Sequence, residues 1–367
     1  MPRDLTRYRG ALLHRSRWLH LGVHARDLAS DRFTTVFPGY LTPTEHPASF
    51  NALAWALQNR VRPGSVLSHT TAALLWGIPL PWRLEDGVGM LRPQELAPDV
   101  EDPVLPAVLP GRTLGVDASL PLLHCRVAPG SSSRVGRGVV VHRQGPAATA
   151  RLGSLLVSSQ AETLRELATL LPLWDVVAAV EGVIGPDAMH PGETLASLRR
   201  ATEDGRGTPG TPRLRNALAL ARESVRSPGE SVMRLVLVAA GFPEPMPNLP
   251  VRDEETAKVR YIDLAWPSVG FGLEYDGDGH RTSKGQWQDD ENRRDELASQ
   301  GWTLARSNGS DLRRPLRVLL RLRRSLGERG LDVPGEQHLR RTAQRLSVEQ
   351  PSLRLDGKTS LRLDGKR

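Results

Sequence analysis

Residues 229–326 predict an α/β fold in which a mixed sheet is flanked by helices, and three observations carry that expectation. Two stretches, Gly229–Ala240 (GESVMRLVLVAA) and Leu316–Leu326, repeat apolar residues at helical spacing. Between them, runs rich in strand-forming residues lie near 248–252, 258–266, 270–276 and Trp302–Arg306, separated by Gly and Pro. A polar, heavily charged segment at Gln286–Gln300 reads as a further helix. The order is helix, three strands, helix, strand, helix, and an α+β region precedes it.

Taken from the N-terminus, residues 1–82 mix short helical and strand patterns. Ser68 is placed to cap a short apolar helix that runs through Leu75 and is stopped by Gly77 and Pro79. A middle α+β region, 83–201, opens with a Pro-, Gly- and Asp-rich stretch at 83–115 that predicts a long loop or surface insertion. Strands are expected at Val139–Arg143 and Leu155–Ser158, then helices around 160–170 and 173–184. TEDGRGTPGTP at 202–212 reads as a linker, so 202–213 would separate this region from a last domain at 214–335. In the closing helix of that domain, Leu316, Leu319, Leu320 and Leu326 share one side. Arg313, Arg314, Arg317, Arg321 and Arg324 share the other. Residues 336–367 read as a disordered basic tail in which SLRLDGK occurs at 352–358 and 360–366, too few copies for a solenoid.

Composition narrows the class. Hydrophobic residues make up 39% and charged residues 25% of 367, ordinary for a soluble globular protein of two or three domains. The net charge of +8 comes chiefly from Arg, which suits bidentate phosphate contacts. A single cysteine, Cys125, excludes an internal disulfide framework and points to a reducing compartment. No run approaches a membrane-spanning length, and MPRDLTRYRG has no signal-peptide core, so a cytoplasmic protein without membrane contact is expected.

The chemistry concentrates at YIDLAWPSVGFGLEYDGDGH, 261–280. A hairpin closing at Pro267–Gly270 pairs Trp266 with Phe271, Ala265 with Gly272 and Asp263 with Glu274. Alternation then puts Ile262, Leu264, Trp266, Phe271, Leu273 and Tyr275 on one apolar face. Asp263, Glu274 and Asp276 fall on the other, beside Ala265 and Gly272. Like charges opposite each other are destabilising, and the remedies are a cation, a raised pKa or exposure to water. Mg²⁺ or Mn²⁺ takes carboxylate oxygens together with water and phosphate, so Asp263, Glu274 and Asp276 are candidate metal ligands.

This order of elements, with Glu230 in SPGESVMRLVLVAAGFPEP, Asp263 in YIDLAWP, EYDGDGH at 274–280 and DDENRRDELASQGW at 289–302, resembles the PD-(D/E)xK nuclease superfamily, and within it the very-short-patch-repair (Vsr-like) endonucleases. The resemblance covers about 228–325. It implies a restriction-endonuclease-like fold and DNA cleavage with Mg²⁺ held at Asp263 and Glu274, assisted by Glu230. Asp276 stands where the superfamily has its namesake lysine, and the Vsr-like branch implies His280 as the replacement acid or base. Lys284, one of Arg293 and Arg294, and Arg313, Arg314 and Arg317 are candidate DNA-backbone contacts. The other arginine of the 293–294 pair would bind Asp290 within the helix.

RFTTVFPGYL (32–41), LSHTTAALLWGIPLP (67–81) and LLVSSQAETLRELATLLPLWDVVAAVEGVI (155–184) resemble AbiEi-type antitoxin proteins, which begin with a winged helix. That likeness implies a partial winged-helix-like element and a partner of toxin–antitoxin type. In it, His69 reads as a capping or packing residue. Two functions follow as alternatives: a Mg²⁺-dependent endonuclease, or a non-catalytic DNA-binding regulator that keeps the nuclease fold as a binding module. RNA as the target is a third.

Overall fold

The computed structural model describes residues 5–80, 123–132, 135, 139–253, 258–276 and 293–346. The expected insertion at 83–115, the SLRLDGK repeats, His280, Lys284 and Asp290 lie outside the described residues. The chain is mixed α/β, with three sheets divided between two compact units, Met1–Leu167 and Ala168–Arg367.

The first unit opens with β1 (Leu13–His14), α1 (Arg15–His20), α2 (Ala25–Leu28), β2 (Phe33–Phe37) and β3 (Tyr40–Pro43), whose strands form an antiparallel sheet in the order β1-β3-β2. Its core is aromatic. Fully buried Trp18 meets Tyr8 and Phe33 edge-on at 5.2 and 5.1 Å, and its Nε1–H donates to the Leu41 carbonyl at 2.9 Å. Gly39 turns β2 into β3 at φ +81°, where a Cβ would also collide with the His14 ring. The two helices are only six and four residues long.

The same unit continues with α3 (Phe50–Ala56), β4 (Val66–Leu67), α4 (His69–Trp76), β5 (Leu123–Val127), β6 (Val139–Arg143), β7 (Thr149–Leu152), β8 (Leu155–Ser158) and α5 (Gln160–Leu170). The strands form a mixed sheet in the order β6-β5-β4-β8-β7, so β6 is an edge. Gly77, left-handed, ends α4 where the sequence places the stop. Ser68 occupies the N-cap position, yet its hydroxyl makes no capping bond and lies 3.0 Å from His69 Nδ1 instead.

The second unit holds α6 (Leu173–Ile184), α7 (Leu195–Asp204), α8 (Thr211–Leu220), α9 (Pro228–Ala239), β9 (Met246–Arg252), β10 (Val259–Trp266), β11 (Phe271–Asp276), α10 (293–299), β12 (Thr303–Asn308), α11 (Gly309–Arg313), α12 (Leu316–Gly327) and α13 (Glu336–Leu346). Two sequence expectations are corrected here. The stretch read as a linker is instead a turn between α7 and α8, closed by Thr211 Oγ1 on the Gly205 carbonyl at 3.0 Å. Gly and Pro serve a tight reversal as readily as a spacer. Buried Arg234 of α9 then bonds Glu181 of α6, and Glu244 at 2.7 Å, which holds α6 within the same unit. The tail is not disordered from 336 onward either. Leu339 and Ala343, one helical turn apart on α13, are buried in the core that α12 also fills.

The sheet order is β12-β11-β10-β9, with β11 and β12 parallel and the other pairs antiparallel. β9 carries Pro247 and Pro250, which an edge strand tolerates. The hairpin register matches the sequence reading at Trp266↔Phe271 and Ala265↔Gly272. Leu264, Trp266, Phe271 and Leu273 pack on Met233 and Leu237 of α9 and on Val318, Leu319, Leu322 and Leu326 of α12. The opposite face is covered rather than open. Ile262 joins Ala265 there, under Leu297 of α10 with Trp302 and Leu304. The expected alternation breaks at Asp263. The β10–β11 pairs stop at Leu264↔Leu273, and opposite Asp263 on β9 stands Asn248 at φ +46°.

Candidate functional site

At that break the Asp263 carboxylate takes over from the strand ladder. Its Oδ2 accepts the Tyr275 N–H at 2.8 Å, so the acid is held by backbone twelve residues downstream. Glu274, on β11, is buried at 7% exposure, and Asp276 follows it on the same strand. The fourth acid arrives from α9. Ser227 caps that helix by accepting the Glu230 N–H at 3.2 Å, and Glu230 Oε2 accepts from the Arg226 N–H at 3.2 Å and Asn248 Nδ2 at 2.7 Å. A glycine allows this approach: a Cβ on Gly229 would lie 2.0 Å from the Tyr275 ring.

The charges of Asp263 and Asp276 add to the effect of burial on their acidic neighbours. Burial raises the proton affinity of Glu230, and the charge of Asp263 raises it further. Asp263 is likewise raised by burial, with Asp276 adding to the effect while the Tyr275 N–H and Arg293 oppose it. Glu274 is raised by burial against the pull of Arg293, and Asp263 and Asp276 push it up again. Such mutual repulsion in a desolvated place is what a cation relieves.

Arginines supply part of that relief. Arg293 of α10 places Nη2 2.8 Å from Glu274 Oε1 and also donates to the Tyr261 carbonyl. It therefore sits within the acidic pocket, where the sequence offered either an intrahelical pair or a phosphate contact. Arg306, the residue across from Glu274 on β12, has Nε 4.0 Å from Asp276 Oδ2. Arg226 stacks over the Tyr261 ring at 4.8 Å. Arg294, Arg314 and Arg317 are exposed and Arg313 is half-buried. Arg306, Arg226 and Asn248 escaped the sequence reading. Only the register and the Pro-flanked position of Asn248 could have flagged them.

The donor set suits a hard ion. Asp263 and Glu274 together offer the one or two carboxylates that Mg²⁺ takes alongside water and phosphate. The four acids do not gather more tightly than that. Among the described residues, the group of three whose ligand atoms all lie within 4.8 Å of one another is His69, His124 and His142.

This second cluster lies in the first unit, and sequence spacing does not announce it. His124 on β5 and His142 on β6 sit diagonally across a parallel pair, and their Nδ1 and Nε2 atoms are 2.9 Å apart. His69 opens α4 directly after β4, and its ring stacks on His142 at 3.5 Å between centroids. His69 and His124 are buried, while His142 is half-buried on the edge strand. His69 adopts φ +53°, an uncommon backbone for a non-glycine, and its N–H donates to Glu166 Oε2 at 2.8 Å. Burial first, then the two neighbouring histidines and Arg165 and Arg126, hold its pKa well below the usual range, so the ring is neutral. Glu166 is itself pushed up to about 7 by burial. The His69 N–H, Arg126 at 3.5 Å and the Ser158 hydroxyl at 3.0 Å oppose that shift.

Two uncharacterised proteins of Mycobacterium tuberculosis, one from strain CDC 1551 / Oshkosh and one from strain ATCC 25618 / H37Rv, are similar to this chain. Each is 27% identical over 199 residues, covering 54% of this chain and 72% of the relative. No protein-family model matches the chain, and no solved structure matches it. No helix among the described residues is long and apolar enough to cross a membrane.

Proposed function

We propose that the second unit is a metal-dependent DNA endonuclease of restriction-endonuclease-like, Vsr-like type, working with Mg²⁺ or Mn²⁺ in the cytoplasm. The observation that carries this reading is buried Glu274 and half-buried Asp263 on adjacent strands, where the charge of Asp263 raises the proton affinity of both Glu274 and Glu230. Asp263 and Glu274 would hold the ion, which when bound polarises a phosphodiester and activates water. The Tyr275 N–H fixes the Asp263 carboxylate, and Asn248 fixes Glu230. Arg293 orients Glu274 and keeps positive charge where a phosphate would enter. Exposed Arg314 and Arg317, with half-buried Arg313, supply backbone contacts that give affinity without sequence specificity. His280 is the proposed acid or base, and Lys284 a further DNA contact.

A non-catalytic DNA-binding regulator or AbiEi-type antitoxin is the second reading, favoured by two features. Arg293 already neutralises Glu274, and Asp276 stands where a catalytic lysine would be expected. Supercoiled plasmid separates the two. The nuclease reading expects nicking or linearisation with Mg²⁺ or Mn²⁺ that Asp263→Ala and Glu274→Ala both abolish without loss of folded structure. DNA binding without cleavage in either metal would leave the regulator.

A further inference from the structure

We infer that His69, His124 and His142 form a second metal site, selective for a divalent transition ion of the zinc class. The site goes beyond the nuclease reading, because its donors are all imidazole, which suits Zn²⁺, Co²⁺ or Ni²⁺ and disfavours Mg²⁺. Three histidines with one open position form a common zinc arrangement.

The geometry accepts the ion if one ring turns. Two imidazole nitrogens 2.9 Å apart share a proton in the metal-free cluster, since one must donate and the other accept. Replacing that proton with Zn²⁺, bonded at about 2.0–2.1 Å to each nitrogen, separates them to roughly 3.3 Å in a tetrahedral site. One nitrogen from each of the three rings already lies within 4.8 Å of the others. His69 and His142 are stacked with only 13° between their planes, so their in-plane lone pairs do not yet converge. His142 is the ring able to turn, being half-buried on an edge strand, while His69 is buried and anchored.

The surroundings support a cation. Glu166 Oε2 lies 3.8 Å from His69 Nδ1, near enough to offset an ion's charge, while the Ser68 hydroxyl at 3.0 Å meets Nδ1 and orients the ring. Every charged group facing the cluster counts: Glu166 and Glu162 on α5 oppose Arg165 on α5 and Arg126 on β5, two against two. The ion therefore does not enter a cationic pocket. The positive φ of His69 is held by Glu166 on the neighbouring helix, and such maintained strain collects at functional sites.

The test is a Co²⁺ titration of full-length protein carrying no polyhistidine tag, followed by visible absorption. The expected result is one equivalent with the intense bands of tetrahedral Co²⁺, displaced by Zn²⁺, lost in His142→Ala, and retained in Asp263→Asn with Glu274→Gln. Should His142→Ala misfold by circular dichroism, diethylpyrocarbonate modification of the unaltered protein replaces it, with Zn²⁺ expected to shield His142. Absence of a tetrahedral spectrum, survival of the spectrum in folded His142→Ala, loss of it in the carboxylate variant, or no shielding by Zn²⁺ would overturn the site.

Discussion

The acidic pocket of the second unit and the imidazole cluster of the first both bury titratable groups, but the chain builds them by opposite routes. Asp263, Glu274 and Asp276 come from one hairpin, and the pocket is nearly complete once its register is set. His69, His124 and His142 come from an α-helix and two strands far apart in the chain, brought together by a sheet whose strand order departs from the sequence order. The acids repel one another and are tempered by Arg293 and Arg306. The His69 imidazole is held neutral, and His124 and His142 share a hydrogen bond. On the proposed reading, charge repulsion prepares one place for a hard cation, and lone pairs prepare the other for a softer one.

The largest effect separating them belongs to Asp263→Ala, which should lower metal-dependent plasmid cleavage about a thousandfold, since an ion's contribution of several kcal/mol is lost at about 1.4 kcal/mol per decade. Zn²⁺ should move stability in the first unit only. At a hundredfold excess over Kd it should add about 2.7 kcal/mol, seen as a rise in Tm that EDTA or His142→Ala removes and Asp263→Asn leaves in place. Gly229→Ala forces a methyl group against Tyr275 and should cost about 1–3 kcal/mol in urea denaturation. It should also cut cleavage by pushing Glu230 away from Asp263. The smallest effect concerns Cys125, which alternates between His124 and Arg126 on β5. Burial pushes its thiol up to about 11, so Ellman's reagent at pH 8 should label it only as the unit unfolds. Fast labelling of native protein would mean that the sheet carrying the imidazoles opens readily.

What could be read in the sequence divides along the same line. The strands at 246–276 and 303–308, the helices at 160–184 and 316–327, and two hairpin pairs follow from periodicity and turn residues, because those signals are local. The covered second face did not follow. Alternation was carried through Asp263, whereas its carboxylate replaces a ladder partner and Ile262 turns to the Ala265 side. The stretch at 202–213 reads as a linker because a tight turn and a spacer share a composition, whereas only Gly205 to Gly210 lies between the helices. The helix at 336–346 was hidden among its arginines, although Leu339 and Ala343 sit one turn apart. Nothing local could place His69 beside His142. That contact depends on β4, β5 and β6 lying next to one another.

A crossed metal titration tests the two-site assignment most directly. Mn²⁺ bound at the acids is counted by electron paramagnetic resonance, and Co²⁺ bound at the imidazoles by its tetrahedral absorption, in the unaltered protein, Asp263→Asn and His142→Ala. Two sites of different chemistry predict that Asp263→Asn loses Mn²⁺ and keeps tetrahedral Co²⁺, while His142→Ala loses Co²⁺ and keeps Mn²⁺. Either ion surviving the variant aimed at it, or one variant removing both, would contradict the assignment.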